Sequence, residues 1–364
     1  MFVALRDLRH ARGRFALMLV VITLITFLVA FLSSLTAGLA RESTSAVTDL
    51  PVDHLAFAMP EPGDSPDFTA STVTSAQRDA WSAATGVEDA ELLGVATARA
   101  QSAATTAAVT AFGVEPGSGL VPADTPAPTG GTVAVSRGAA DRLSIATGDT
   151  LSLGGHDLRV GAVLDVDASY AHTPVVWVSL ADWQTIGGRA PAPDEGDVAT
   201  VVAVTGDVQD DIVRRTDAAA GTATLGVGES RAAISSFSSE NGSLLTMQAF
   251  LVAISALVVG AFFTVWTISR FGDIAVLKAL GASTRYLLRD AIGQALLVLV
   301  IGVSLGTGVA AVGATLLADV VPVVVTTTTT LLPAAALVAL GLVGAVLAIA
   351  RITTIDPHVA LAAR

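Results

Sequence analysis

The chain contains no cysteine, which excludes a disulfide framework and any thiolate metal site, so a domain outside the cell would have only its packed core to hold it together. Charge is scarce as well. Only 14% of the 364 residues are Asp, Glu, Lys or Arg, against 52% apolar, a balance unlike that of a soluble globular protein and one that makes lipid the solvent for part of the chain. Lysine is nearly missing, with Lys278 alone against nineteen arginines. A phosphate-cradling loop needs Gly-x-x-x-x-Gly-Lys-Ser/Thr, and Lys278 follows Leu277, so the chain is expected to be no enzyme and to carry no ATPase of its own. No basic patch suited to nucleic acid is visible.

Four runs reach the roughly 20 residues needed to cross a hydrocarbon core: 15–40, 244–269, 291–318 and 330–350. They divide the chain into a lead-in at 1–14, a large segment at 41–243, a loop at 270–290, a short loop at 319–329 and a tail at 351–364. Residues 41–243 hold ten arginines and 27 acids, a net charge of −17, whereas the two ends and the 270–290 loop hold ten basic residues against Asp7, Asp273, Asp290 and Asp356. Short cytoplasmic segments carry the basic excess. The expected fold is therefore a membrane α-helical protein with four transmembrane helices, both termini cytoplasmic, and a large α+β extracytoplasmic domain inserted between helices 1 and 2. A rival reading treats the first run, ending at Ala37-Gly38-Leu39-Ala40, as a cleaved signal peptide. Its uncharged stretch exceeds the usual signal core of about 7–15 residues, which favours a retained helix.

Within 41–243, alternation predicts strands at 132–136, 150–153, 158–163, 175–178 and 201–204, a hairpin closed by Gly154-Gly155, and a short helix over 139–143. The Pro- and Asp-rich stretch 49–66 reads as surface winding. Thr326 to Thr330 reads as a low-complexity run in a loop. In the third span, Gly302 and Gly306 with Gly308 and Gly313 permit close helix approach, expected against helix four or two.

The most informative segment lies in the 270–290 loop. Residues 269–285, Ser-Arg-Phe-Gly-Asp-Ile-Ala-Val-Leu-Lys-Ala-Leu-Gly-Ala-Ser-Thr-Arg, have the chemistry of a short amphipathic helix with Ile274 and Leu277 on one side. Gly281 suits its C-cap and Ser283 the N-cap of the next helix. A rigid apolar helix face at the inner surface of a membrane is what a cytoplasmic partner can grip.

This segment resembles the E-I-x-x-L-K-A-L-G-A signature of the FtsX and MacB type of ABC permease, with Asp273 standing where glutamate is commoner. The tail Ile355-Asp356-Pro357-His358-Val359-Ala360-Leu361 resembles that family's I-D-P-x-x-A-L ending, and Ala4-Leu5-Arg6-Asp7-Leu8 its amphipathic lead-in. The resemblance implies a homodimer of permeases in the cell membrane, bound to two copies of a separate ATPase that binds the ATP. It makes Asp273, Ile274, Leu277, Lys278 and Gly281 the expected ATPase-coupling residues. The stretch from Leu5 to Met18 with Leu35-Thr36-Ala37-Gly38-Leu39 is similar to the heme-exporting permeases of Gram-positive bacteria. That likeness implies heme as transported substrate, with no cofactor of the chain's own. Lipoprotein, peptide or antibiotic efflux, or non-transporting regulation of a cell-wall hydrolase, are the alternatives.

Heme iron needs His, Met, Tyr, Cys or a carboxylate, and none of the four spans contains His, Cys or Tyr. That leaves methionine and acid, and the candidates are Glu240 and Met247, seven residues apart and so on nearly one face of a continuous helix; both also fit ordinary helix-end roles. Arg41 and Arg231 would meet the propionates or snorkel to headgroups. Phe27, Phe31, Leu35, Leu244 and Phe250 would wall the cleft. The five histidines, His10, His54, His156, His172 and His358, have no metal-ligand spacing and read as surface or satisfied residues, so no metal beyond heme iron is expected.

Overall fold

The computed structural model describes residues 12–122, 125–187, 196–269, 276, 281, 283–317 and 320–353. The chain begins with α1 (Arg12–Thr48), β1 (His54–Ala58), β2 (Val73–Thr74), α2 (Ser75–Ser82), β3 (Asp89–Gln101) and β4 (Thr106–Val114). Next come β5 (Thr132–Ser136), α3 (Arg137–Leu143), β6 (Thr150–Leu153), β7 (His156–Leu164), β8 (Ser169–Tyr170), β9 (Thr173–Ser179) and α4 (Leu180–Ile186). They are followed by β10 (Val198–Ala199), β11 (Val201–Thr205), α5 (Asp210–Ala220), β12 (Thr222–Gly226) and a 3-10 turn (Ser230–Ala233). Three long helices close the chain: α6 (Ser235–Ser269), α7 (Thr284–Leu317) and α8 (Thr327–Thr353).

Among the described residues, helices α1, α6, α7 and α8 are the four long and apolar enough to cross a membrane. With no hydrophobic force between helices in lipid, close packing has to come from small residues and hydrogen bonds. In the helical unit, residues 1–39 and 242–364, Met18, Ile22 and Val29 meet Val259, Phe263, Leu299, Val303 and Leu337 in one buried cluster. The glycine pair of α7 faces α1, and not helix four or two as its spacing led one to expect. A Cβ at Gly302 would stand 2.6 Å from Ile22 Cγ2, and one at Gly306 2.6 Å from the Thr23 carbonyl oxygen. The Thr23 hydroxyl donates to the Gly302 carbonyl at 3.3 Å. Helix α8 comes close to α6 instead through Gly344, whose added Cβ would lie 3.2 Å from Gly260 Cα. The threonine run belongs to α8 and starts it: the Thr326 N–H donates to Thr329 Oγ1 at 2.9 Å and the Thr329 N–H to Thr326 Oγ1 at 3.2 Å, a reciprocal N-terminal cap.

The inserted domain, residues 40–241, is mixed α/β. Its main sheet runs β12-β1-β11-β3-β4-β9-β5-β7-β6, with β6 also pairing with the far end of β3. Six strands therefore close on themselves while β11, β1 and β12 extend the sheet from the near end of β3. Most strands are buried on both faces, so neighbouring residues serve two cores. Leu92, Ala111 and Val176 join Trp81 and Trp183 in one. Leu93, Phe112 and Trp177 join Phe57, Phe68 and Tyr170 in the other, together with Val47 and Leu50 near the end of α1 and Phe237 of α6.

The strands expected from alternation are present as β5, β6, β7, β9 and β11. Gly154 (φ 57) and Gly155 (φ 87) make the turn between β6 and β7, both left-handed as a type I′ turn requires. The stretch 49–66 departs from expectation. It contains β1, whose Leu55, Ala56 and Phe57 are fully buried between β11 and β12. A five-residue apolar strand flanked by Pro51 and Pro60 has too short a period to outweigh its turn-forming surroundings in the sequence.

Candidate functional site

Glu240 lies in the first turns of α6, where the carboxylate faces the imidazole of His172. His172 Nε2 and Glu240 Oε2 are 2.8 Å apart, and Nδ1 of the same ring lies 3.7 Å from Glu42 Oε2 on α1. No pattern in the sequence marks this grouping. The three residues are far apart in the chain, and His172 sits in a turn without glycine or asparagine. Arg41, also on α1, reaches Asp49 Oδ2 at 3.4 Å. Arg231 is exposed in the 3-10 turn.

Arg41 and Asp49 stand at one side of a cleft of about 540 Å³ in the inserted domain, whose walls include Leu50, Leu120, Val121 and Trp177. Nearby, Glu91 is held by the Ser118 hydroxyl and by the Gly119 N–H at 3.1 Å. Burial pushes its carboxyl above the ordinary range, against those hydrogen bonds and with the charges of Asp89 and Glu115. Burial likewise pushes the Tyr170 phenol up. Among the described residues no three His, Asp or Glu side chains are grouped to hold a metal ion.

In the helical unit, Met247 is half exposed on α6, and Phe250, one turn further, is 66% exposed. Phe27 and Phe31 stack on α1 with ring centroids 5.7 Å apart. Leu35 and Leu244 are partly buried. At this level the Gln248 amide donates to the Thr36 hydroxyl at 3.2 Å, tying α6 to α1 by a side-chain bond between apolar neighbours. The wall residues and Met247 thus belong to the helical unit, while Glu240, Arg41 and Arg231 belong to the inserted domain.

Of the coupling residues, Asp273, Ile274, Leu277 and Lys278 lie outside the described residues. Gly281 adopts φ +92 with no atom near its would-be Cβ, a conformation suited to a residue closing a helix. Ser283 accepts a hydrogen bond from the Tyr286 N–H at 3.3 Å. It caps α7 as expected.

Two family models match the chain: the MacB-like periplasmic core domain over residues 15–219 and the FtsX-like permease C-terminal over residues 245–357. Among curated proteins, one from Staphylococcus haemolyticus strain JCSC1435, named putative hemin transport system permease protein HrtB, is 23% identical over 361 residues, 98% of each chain. A protein of the same name from Staphylococcus epidermidis strain ATCC 12228 is 31% identical over 124 residues, 34% of this chain and 35% of its own. Among solved structures, the extracellular domain of the noncanonic ABC-type transporter YknZ from Gram-positive bacteria aligns with TM-score 0.34 and 15% identity, covering 48% of this chain and 98% of that one. The periplasmic region of MacB from Actinobacillus actinomycetemcomitans aligns with TM-score 0.34 and 9% identity, over 49% and 90%.

Proposed function

The chain belongs to the family of the MacB-like periplasmic core domain and is an ABC transporter permease of the FtsX and MacB type, and we propose that the cargo it exports is heme. The observation that carries the cargo is the likeness to the staphylococcal protein named as a hemin transport permease, which runs through 98% of both chains and so takes in spans and inserted domain alike. Heme is a flat amphiphile that dissolves in lipid, so an exporter can receive it sideways from the bilayer between helices. Half-exposed Met247 and exposed Phe250 are apolar groups of the kind such a route needs, and Met is an iron ligand.

In this reading two copies of the chain pair and work with two copies of a separate ATPase, which grips the 270–290 loop. The inserted domain faces away from the cytoplasm. Met247 and Glu240 are the candidate iron ligands, each to be replaced singly, with Arg41 and Arg231 for the propionates. The test is growth of a deletion strain in toxic hemin and in membrane-active peptides, with heme absorbance of the purified complex. Protection against hemin only, and loss of the heme bands in Met247→Ala with ATP hydrolysis retained, are expected. Protection against peptides only would transfer the cargo to the peptide class, and unchanged heme bands in both single variants would discard these ligands.

A further inference from the structure

The cleft of about 540 Å³ in the inserted domain is of the size that holds small ligands. Leu50, Leu120, Val121, Val166 and Trp177 give it apolar walls. Trp177 is buried, and its Nε1–H meets no acceptor among the described residues. Buried indole N–H groups ordinarily find a partner, so a donor remains unused at this wall.

Set among the apolar walls are charges of both signs, Arg41, Asp49 and Asp167. Arg41 Nη2 and Asp49 Oδ2 are 3.4 Å apart, but the two side chains are 60% and 57% exposed. A pair so exposed contributes little and can be exchanged for the charges of a ligand. Asp167 is exposed too, and whereas its neighbour Asp165 pairs with Arg137, it has no cation of its own among the described residues. Two acids disfavour a purely anionic molecule, and Arg41 disfavours a purely cationic one. What they complement together is an anion and an ammonium carried on one apolar body. Arg41 is also the first residue after the apolar run 15–40, on the same unbroken helix, so the charged residues of the cleft follow directly on a stretch that lipid surrounds. We propose that the cleft is a binding site for a zwitterionic phospholipid, with the phosphate on Arg41, the ammonium on Asp49 and Asp167, and the start of an acyl chain along Leu50, Leu120 and Trp177. The ester carbonyls of such a lipid are acceptors of the kind the indole N–H lacks.

This site does not rest on heme, and its test uses none. The purified full chain in maltoside detergent is titrated with dihexanoylphosphatidylethanolamine and with dihexanoylphosphatidylglycerol, which share the phosphate and the chains and differ in the ammonium. Tryptophan fluorescence reports occupancy near Trp177, and native mass spectrometry counts the molecules bound. The ethanolamine lipid should fill one site per chain and bind about tenfold more tightly than the glycerol lipid, the size of effect a charged hydrogen bond gives. Asp167→Asn, which removes the charge and keeps the shape, should abolish that preference, and Trp177→Phe should remove the fluorescence response. Equal binding of the two lipids, an unchanged preference in Asp167→Asn, or a response that survives in Trp177→Phe overturns the proposal. Dodecylamine binding as tightly as the ethanolamine lipid overturns it as well, in favour of a simple cation site. Should Asp167→Asn lose its fold, read from the emission of Trp81 and Trp183, the preference of the parent chain and the Trp177→Phe response decide.

Discussion

Gly94 of β3 and Gly113 of β4 are directly opposed across the two strands, and the indole of Trp183 lies in the slot they leave. A Cβ at Gly94 would stand 2.3 Å from Trp183 Cδ2, and one at Gly113 2.4 Å from Trp183 Cβ. Since Trp183 is fully buried, the ring has nowhere to retreat. Gly113→Ala should therefore cost about 1–3 kcal/mol, the usual range for overpacking, read as a lower melting temperature of the purified chain by tryptophan fluorescence. A melting temperature equal to the parent's would mean that Trp183 is free to shift. Glu91 offers a pH test. Its carboxyl is raised by burial, so the folded state disfavours the charged form, and its contribution is best below the unfolded value and worsens as pH rises through the folded one. Glu91→Gln keeps an acceptor for Ser118 and Gly119, and should raise the melting temperature at neutral pH while leaving it unchanged in acid. A gain of equal size at both pH values would remove the charge from the explanation. These sites differ in how far the sequence disclosed them. Gly154-Gly155 was readable as a turn because glycine supplies the left-handed backbone, whereas Ala171-His172 adopts the same backbone with no such signal. His172 accordingly passed for an ordinary surface histidine, and only the hairpin brings it to Glu240.

Among elements, β5, β6, β7, β9 and β11 were legible, whereas β3, the longest strand, and β4 were not. In β3 and β4 the residues Ala, Thr and Gly dominate, and the middle of each strand is buried on both faces. Burial on both sides erases the period of two on which strand recognition depends, and these strands lack the Val-rich run that still marks β9 and β11. β1 was hidden for the same reason within its prolines. The helices were legible from length alone, but which helix each glycine faces depends on the assembled bundle. That choice has a measurable consequence. Gly306 of α7 lies against Thr23 and Thr26 of α1, where an added Cβ would meet atoms at 2.6 Å. Gly306→Leu should force α1 and α7 apart at a cost of about 1–3 kcal/mol, with loss of folded chain in detergent. Gly308→Leu, where no atom lies within 4 Å, should be tolerated. Equal losses in both variants would remove the α1 contact as the cause.

At the scale of the whole molecule, the sequence carries its topology in charge. The inserted segment holds 27 acids against ten arginines, while the loop and ends that flank the spans are basic. Moving basic residues across the bilayer is opposed during insertion, so the charge pattern predicts that the basic parts stay in the cytoplasm, and four spans would return the chain to the side where it began. The proposed orientation requires the FtsX-like signature to lie where a separate ATPase would reach it and the inserted domain where it would not. Labelling can decide this without background, because the chain has no cysteine. In intact cells, a membrane-impermeant maleimide should modify a cysteine placed at Asp141 of the inserted domain, which is exposed. One placed at exposed Ser283, beside the signature, should react only after the membrane is opened. The reverse pattern would invert the molecule, put the signature beyond the reach of ATP, and end the reading of the 270–290 loop as the ATPase contact.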